Sequence, residues 1–169
     1  MRVLSFDIGI KNLAYCLMVV DETTKEWNIE MWKVSVLDDT SKDINVLGRK
    51  IIELMDTEPF GELDVILIEN QPCVKAPKMK SIQMIVYTYF LIKYEESNIL
   101  FSSAMSKLKV KLNPDKKEKL TYSEKKKKAI EITRKYIVTS DSKDQFEASK
   151  KKDDLSDSFL QAMYFIENK

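Results

Sequence analysis

Val3-Leu4-Ser5-Phe6-Asp7-Ile8-Gly9-Ile10-Lys11-Asn12-Leu13-Ala14-Tyr15-Cys16-Leu17-Met18-Val19-Val20 is the stretch that decides the architecture. Two apolar, β-prone runs, 2–8 and 12–20, flank a tight Gly9-Ile10-Lys11 link, which is the signature of paired antiparallel strands. Segment 27–35 alternates as a third strand would, so the chain opens as a meander. Asp7 breaks the apolar pattern at the end of the first run. Burying a lone carboxylate there is costly unless it is paired or holds a cation.

Outward from this stretch, 43–55 sets Ile44, Leu47, Ile51 and Leu54 at helical spacing and stops before Pro59. The compact run 64–68 suits a strand buried on both faces, and it ends at Glu69-Asn70-Gln71-Pro72, so Glu69 repeats the position of Asp7. Pro77 favours a first helical turn, and the helix it opens runs to about residue 96. That helix carries two apolar stripes: Met79, Ile82, Val86, Tyr89 and Ile92, and then Met84, Tyr87, Leu91 and Tyr94. One stripe faces the core; the other meets either a second copy or more of the same domain.

Residues 99–103 make a last strand, and 108–120 form a lysine-rich loop turning at Pro114-Asp115. Thr121 or Ser123 caps a helix through about 136. A polar stretch, 139–149, precedes a final helix from about Lys152 with Leu155, Phe159, Ala162, Met163 and Ile166 on one face. Three strands, helix, strand, helix, strand, helix, helix is an α/β order.

Composition narrows the chemistry. The 169 residues, 44% apolar, suffice for one buried core, and three glycines and four prolines leave no linker, so 1–169 reads as a single domain. The longest apolar run, 82–92, is too short and polar to span a membrane. Asp7 also falls where a secretory signal would stay apolar, so the expectation is a soluble intracellular protein. Cys16 and Cys73 lack metal-ligand spacing and read as thiols. The absence of histidine excludes Ser-His-Asp and Cys-His catalysis and His-ligated zinc or haem. Carboxylates, lysines and metal ions remain.

The closing acidic motif is Lys151-Lys152-Asp153-Asp154-Leu155-Ser156-Asp157-Ser158-Phe159. On a helix Asp154 and Asp157 share a face, where like charges repel unless a cation bridges them. Asp153 and Asp154 also serve the dipole at a helix start. Asp7, Glu69, Asp154 and Asp157 together form an all-oxygen ligand set, which selects magnesium or manganese over zinc. Two such ions about 4 Å apart would activate water and stabilise the leaving oxygen of a phosphodiester.

Charge is uneven: residues 1–100 hold 11 Lys+Arg against 16 Asp+Glu, and 101–169 hold 17 against 11, so a net of −5 is followed by +6. Lys107, Lys109, Lys111, Lys116, Lys117, Lys119 and Lys125 to Lys128, with Tyr122 interleaved, supply either a polyanion footprint or a solvated surface.

Four ordered motifs, Phe6-Asp7-Ile8-Gly9-Ile10-Lys11-Asn12-Leu13-Ala14, Ile68-Glu69-Asn70-Gln71-Pro72, Tyr122-Ser123-Glu124-Lys125-Lys126-Lys127 and Lys152-Asp153-Asp154-Leu155-Ser156-Asp157-Ser158, resemble those of poxvirus-type Holliday junction resolvases, viral relatives of bacterial RuvC. The resemblance covers almost the whole chain. It implies an RNase H-like fold with a central mixed five-stranded sheet flanked by helices, a homodimer, two magnesium ions per site that manganese replaces, and paired symmetrical nicks in a four-way DNA junction. It also implies a viral protein acting where the viral genome replicates. The family's metal carboxylates match Asp7, Glu69, Asp154 and Asp157, leaving Asp153 outside. Its lysine near the scissile phosphate matches Lys127 first and Lys126 next. The further lysine of RuvC is nearest to Lys109, and Lys109 with Lys125, Lys126, Lys127 and Lys128 would contact DNA.

Two other readings share the fold: a flap or RNA–DNA hybrid nuclease, and a non-catalytic junction-binding protein. An actin-like ATPase, which also opens with Asp-x-Gly, needs a second domain and glycine-rich phosphate loops; three glycines cannot supply them, so no nucleotide cofactor is expected.

Overall fold

The computed structural model describes residues 1–37, 41, 43–113, 120–138 and 141–169. Strands β1 (Arg2–Asp7), β2 (Asn12–Val20) and β3 (Trp27–Val36) form the meander. They are followed by α1 (Ile44–Thr57), β4 (Val65–Glu69), α2 (Pro77–Lys93), β5 (Asn98–Ser102), a 3₁₀ turn (Ser106–Leu108), α3 (Tyr122–Tyr136), α4 (Ser142–Ala148) and α5 (Lys152–Asn168). The sheet order is β3-β2-β1-β4-β5. β2 pairs antiparallel with β1 and β3, while β4 pairs parallel with β1 and β5. The five-stranded mixed sheet therefore agrees with the sequence expectation.

Local chemistry explains the element ends. A Cβ on Gly9 would lie 2.4 Å from the Asn12 carbonyl oxygen, so only glycine allows the tight return from β1 to β2. The Asp43 side chain caps α1 by accepting from the Asn45 N–H at 2.9 Å. Thr121, rather than Ser123, caps α3, in a reciprocal box with Glu124.

Alternation along the strands sorts the interior into two cores. Leu4, Phe6, Tyr15, Leu17, Ile66 and Ile68 pack with α1 and α2. Val3, Cys16, Met18, Val65 and Leu67 pack with α3, α4 and α5. Both helical faces of the sheet are thus covered, and β4 is buried throughout.

Helix α4 lies within the stretch expected to be merely polar. One apolar side chain holds it: Phe146 is fully buried and stacks on Trp32 at 5.1 Å, while Gln145 donates to the Trp32 carbonyl at 2.7 Å. A seven-residue helix with one anchor has no periodicity to read. The turn expected at Pro114-Asp115, with Lys116, Lys117 and Lys119, lies outside the described residues.

Helix α2 buries Ile82, Gln83, Val86, Tyr89 and Phe90. Leu91 and Ile92 remain 52% and 65% exposed, and Met84 of the same helix and Phe101 of β5 are exposed as well. Neither expected stripe is wholly in or out: Met84 and Leu91 are exposed while Tyr87 and Tyr94 of the same stripe pack against the core, and Ile92 of the other stripe is exposed. Among the described residues no helix is long and apolar enough to cross a membrane, and the described cysteines, Cys16 and Cys73, are unbridged.

Candidate active site

Strand register brings the first two acids together. Phe6 lies beside Ile68 across the parallel β1–β4 pair, so the next residues, Asp7 and Glu69, end neighbouring strands. Counting by twos from Val3 and Val65, both point to the face that α5 covers. Ligand sites of parallel sheets characteristically lie off these carboxyl ends.

Helix α5 delivers the rest. Gln161, fully buried, donates to Ser5 Oγ at 3.0 Å, the Phe6 carbonyl at 3.1 Å and the Leu67 carbonyl at 3.3 Å, bolting the helix across β1 and β4. Asp157 is four residues earlier, on the same helical face, and therefore arrives above the strand ends. Asp154 is one turn further out, where Asn12 Nδ2 approaches its Oδ2 at 3.4 Å.

A lysine occupies the centre of this group. Lys107 Nζ donates to Asp7 Oδ1 at 2.7 Å and pairs with Asp157 Oδ2 at 3.1 Å and Glu69 Oε2 at 3.2 Å, with its side chain 6% exposed. One ammonium cannot compensate three carboxylates. Burial pushes the Asp7 carboxyl up to about 7, opposed by Lys107 and reinforced by Glu69. Asp157 is raised by burial against the pull of Lys107; Asp154 is raised by burial and by Asp153 and Asp7. Burial works against the Lys107 charge, yet Asp7, Asp157 and Glu69 outweigh it and hold its pKa above the ordinary lysine value.

The group lines a cleft of about 670 Å³. Lys109, Tyr122, Lys125 and Lys126 are also in its wall, whereas Lys127 is not and is exposed. Lys126 pairs with Asp153 at 2.5 Å and stands 5.1 Å from the Tyr122 ring centre, a cation–π distance. The Asp153 hydrogen bond raises the Lys126 pKa against burial; in return Lys126 overcomes the burial of Asp153 and holds it below the usual range.

Of the residues singled out from sequence, Asp7, Glu69 and Asp157 converge on one point, Asp154 lies at the rim, and Lys109, Lys125 and Lys126 line the cleft. Lys107 had been read only as one member of a basic cluster. Its sole distinguishing signal is apolar company, Leu108 and the buried Val110, within a lysine-rich stretch.

The donor set suits a hard divalent ion, being all oxygen and already gathered on a cation. Among the described residues no three acidic or sulfur-bearing side chains form a ready metal cage; the oxygens are disposed around the ammonium instead.

Mixed strand order, parallel strand-end acids and a covering acidic helix define the class, an RNase H-like fold of the RuvC type. The family described as Poxvirus A22 protein matches residues 1–169, and the chain belongs to it. Similar solved structures include the fowlpox virus Holliday junction resolvase, TM-score 0.69, 20% identical, covering 99% of each chain. The fowlpox resolvase in complex with substrate Holliday junction DNA gives TM-score 0.72 and 23% identity, over 99% of this chain and 98% of that one. Thermus thermophilus RuvC gives 0.65 and 14%, over 97% and 92%. Uncharacterized protein L451 of Acanthamoeba polyphaga mimivirus is 32% identical over 123 residues, 62% of this chain, which spans 29% of that relative's length.

Proposed function

We propose that this chain is a divalent-metal-dependent endonuclease that resolves four-way DNA junctions by paired, symmetrical nicks. The carrying observation is that acids 150 positions apart in the chain, Asp7 and Asp157, meet Glu69 around one buried cation. Membership of the Poxvirus A22 family and likeness in fold to the fowlpox virus resolvase, crystallised alone and with junction DNA, support the substrate class.

Asp7, Glu69, Asp154 and Asp157 would hold magnesium, with manganese as substitute. Bound there, divalent ions supply Lewis acidity toward the phosphate and lower the pKa of water. The protein's own residues prepare the ground. The α1–α2 core backs β1 and β4, Gln161 fixes the height of α5, and the cleft leaves the acids only partly exposed. Lys126 and Lys125 meet the phosphate backbone at the mouth, neutralising charge without reading sequence. We favour Lys126 over Lys127 as the lysine at the scissile phosphate, because Lys126 is in the cleft wall.

Two opposed strands need two sites, and the exposed Met84, Leu91 and Ile92 of α2 offer an apolar face for a second copy. Leu91→Asp should then convert a sedimenting dimer to monomer; a wild-type protein that is monomeric at micromolar concentration would discard this face. The central test compares four-way junctions, flaps, RNA–DNA hybrids and duplex DNA at matched ionic strength in magnesium, with product ends mapped. Symmetrical nicks restricted to junctions are expected. Binding without cutting, or preference for hybrids, would overturn the proposal.

A further inference from the structure

We infer that Lys107 is a built-in stand-in for the metal: its ammonium holds Asp7, Glu69 and Asp157 together when no ion is bound, and ion binding proceeds by its displacement. This rests on the metal-dependent reading above. Three facts support it. The ammonium is bonded to three of the four proposed ligands at 2.7 to 3.2 Å, so an ion competes with it for those oxygens. The lysine side chain is only 6% exposed, so its ammonium fills the space between the carboxylates. The lysine also has somewhere to go.

Lys107 belongs to neither sheet nor long helix. It is in the 3₁₀ turn after β5, whose backbone is fixed independently: Ser106 Oγ reaches Ser102 Oγ at 3.1 Å, the Lys109 N–H donates to Ser106 at 2.8 Å, and Asn113 donates to the Leu108 carbonyl at 2.6 Å. Rotation of a four-carbon side chain therefore frees the site without refolding the turn, and the cleft that Lys107 lines receives the released ammonium. There it adds a positive charge beside Lys109 and Lys126, on the side from which a phosphate would enter.

The exchange makes opposite predictions for stability and affinity. Without Lys107 the metal-free site keeps three acids and no cation, which is destabilising; an incoming ion then has no competitor and binds more tightly. By linkage, the ion also raises the melting temperature more in the variant than in the parent.

The test titrates manganese into DNA-free protein, following free Mn²⁺ by electron paramagnetic resonance and melting by calorimetry. Lys107→Met should bind manganese about tenfold more tightly or better, melt lower without metal, and regain the parent's melting temperature at saturation. Lys107→Arg should stay close to the parent in affinity. Lys125→Gln, removing a charge from the cleft wall outside the carboxylate group, should change affinity by less than about twofold. If Lys107→Met is unfolded without metal, manganese-induced folding followed by circular dichroism reads the same affinity. Unchanged or weaker manganese binding by Lys107→Met, with the parent binding normally, overturns the exchange alone. Absence of manganese binding in both overturns the metal reading itself.

Discussion

The two faces of the sheet are made by alternate residues of the same strands, yet they do different work. Toward α1 and α2, Phe6 packs among Tyr15, Phe60 and Phe90 with ring centres 5.3 to 6.3 Å apart, a dry aromatic core. Toward α5, its neighbours Ser5 and Asp7 meet Gln161 and Lys107. One residue's step along β1 separates packing from chemistry. A strand can carry a costly group on one side when its other side is packed tightly enough to hold it in place.

Substitutions on the two sides should therefore fail differently. Asp7→Asn should lower cleavage on the order of a thousandfold or more, since it removes a proposed metal ligand, while the metal-free melting temperature holds or rises as a buried charge is lost; single-turnover cleavage and calorimetry read both. Phe6→Ala should cost about 3 to 5 kcal/mol of stability, visible in urea unfolding, with activity recovered in proportion to the folded fraction. Gln161→Leu spans the two behaviours: losing the donor to Ser5, Phe6 and Leu67 should cost about 1 to 3 kcal/mol and lower the cleavage rate of fully folded protein as well, because the height of Asp157 is no longer set. Lys126→Ala should slow cleavage about tenfold, against less than about twofold for Lys127→Ala; equal losses would erase the distinction drawn from the cleft wall.

The sequence reading was strongest where pattern and position coincide. Strand β2 emerges with the same limits, Asn12–Val20, because its apolar run is bounded by the Gly9 turn and by Asp21. The carboxylates stand out because acids at the ends of apolar runs are locally expensive. Lys107 does not, because its one signal, the nearby Leu108 and Val110, is shared by Lys109 between them. Tyr122 and Lys126 are four apart on α3 and meet within it, but the pairing of Lys126 with Asp153 depends on how α3 lies over α5.

The bolt formed by Gln161 has a consequence for biosynthesis. Asp7 and Asp157 are 150 positions apart in the chain, so a copy whose α5 has not yet been added or docked does not gather these acids with Glu69. If these acids hold the metal as proposed, cleavage should require a docked α5, and copies in which that helix is not yet added or not yet seated should leave DNA uncut.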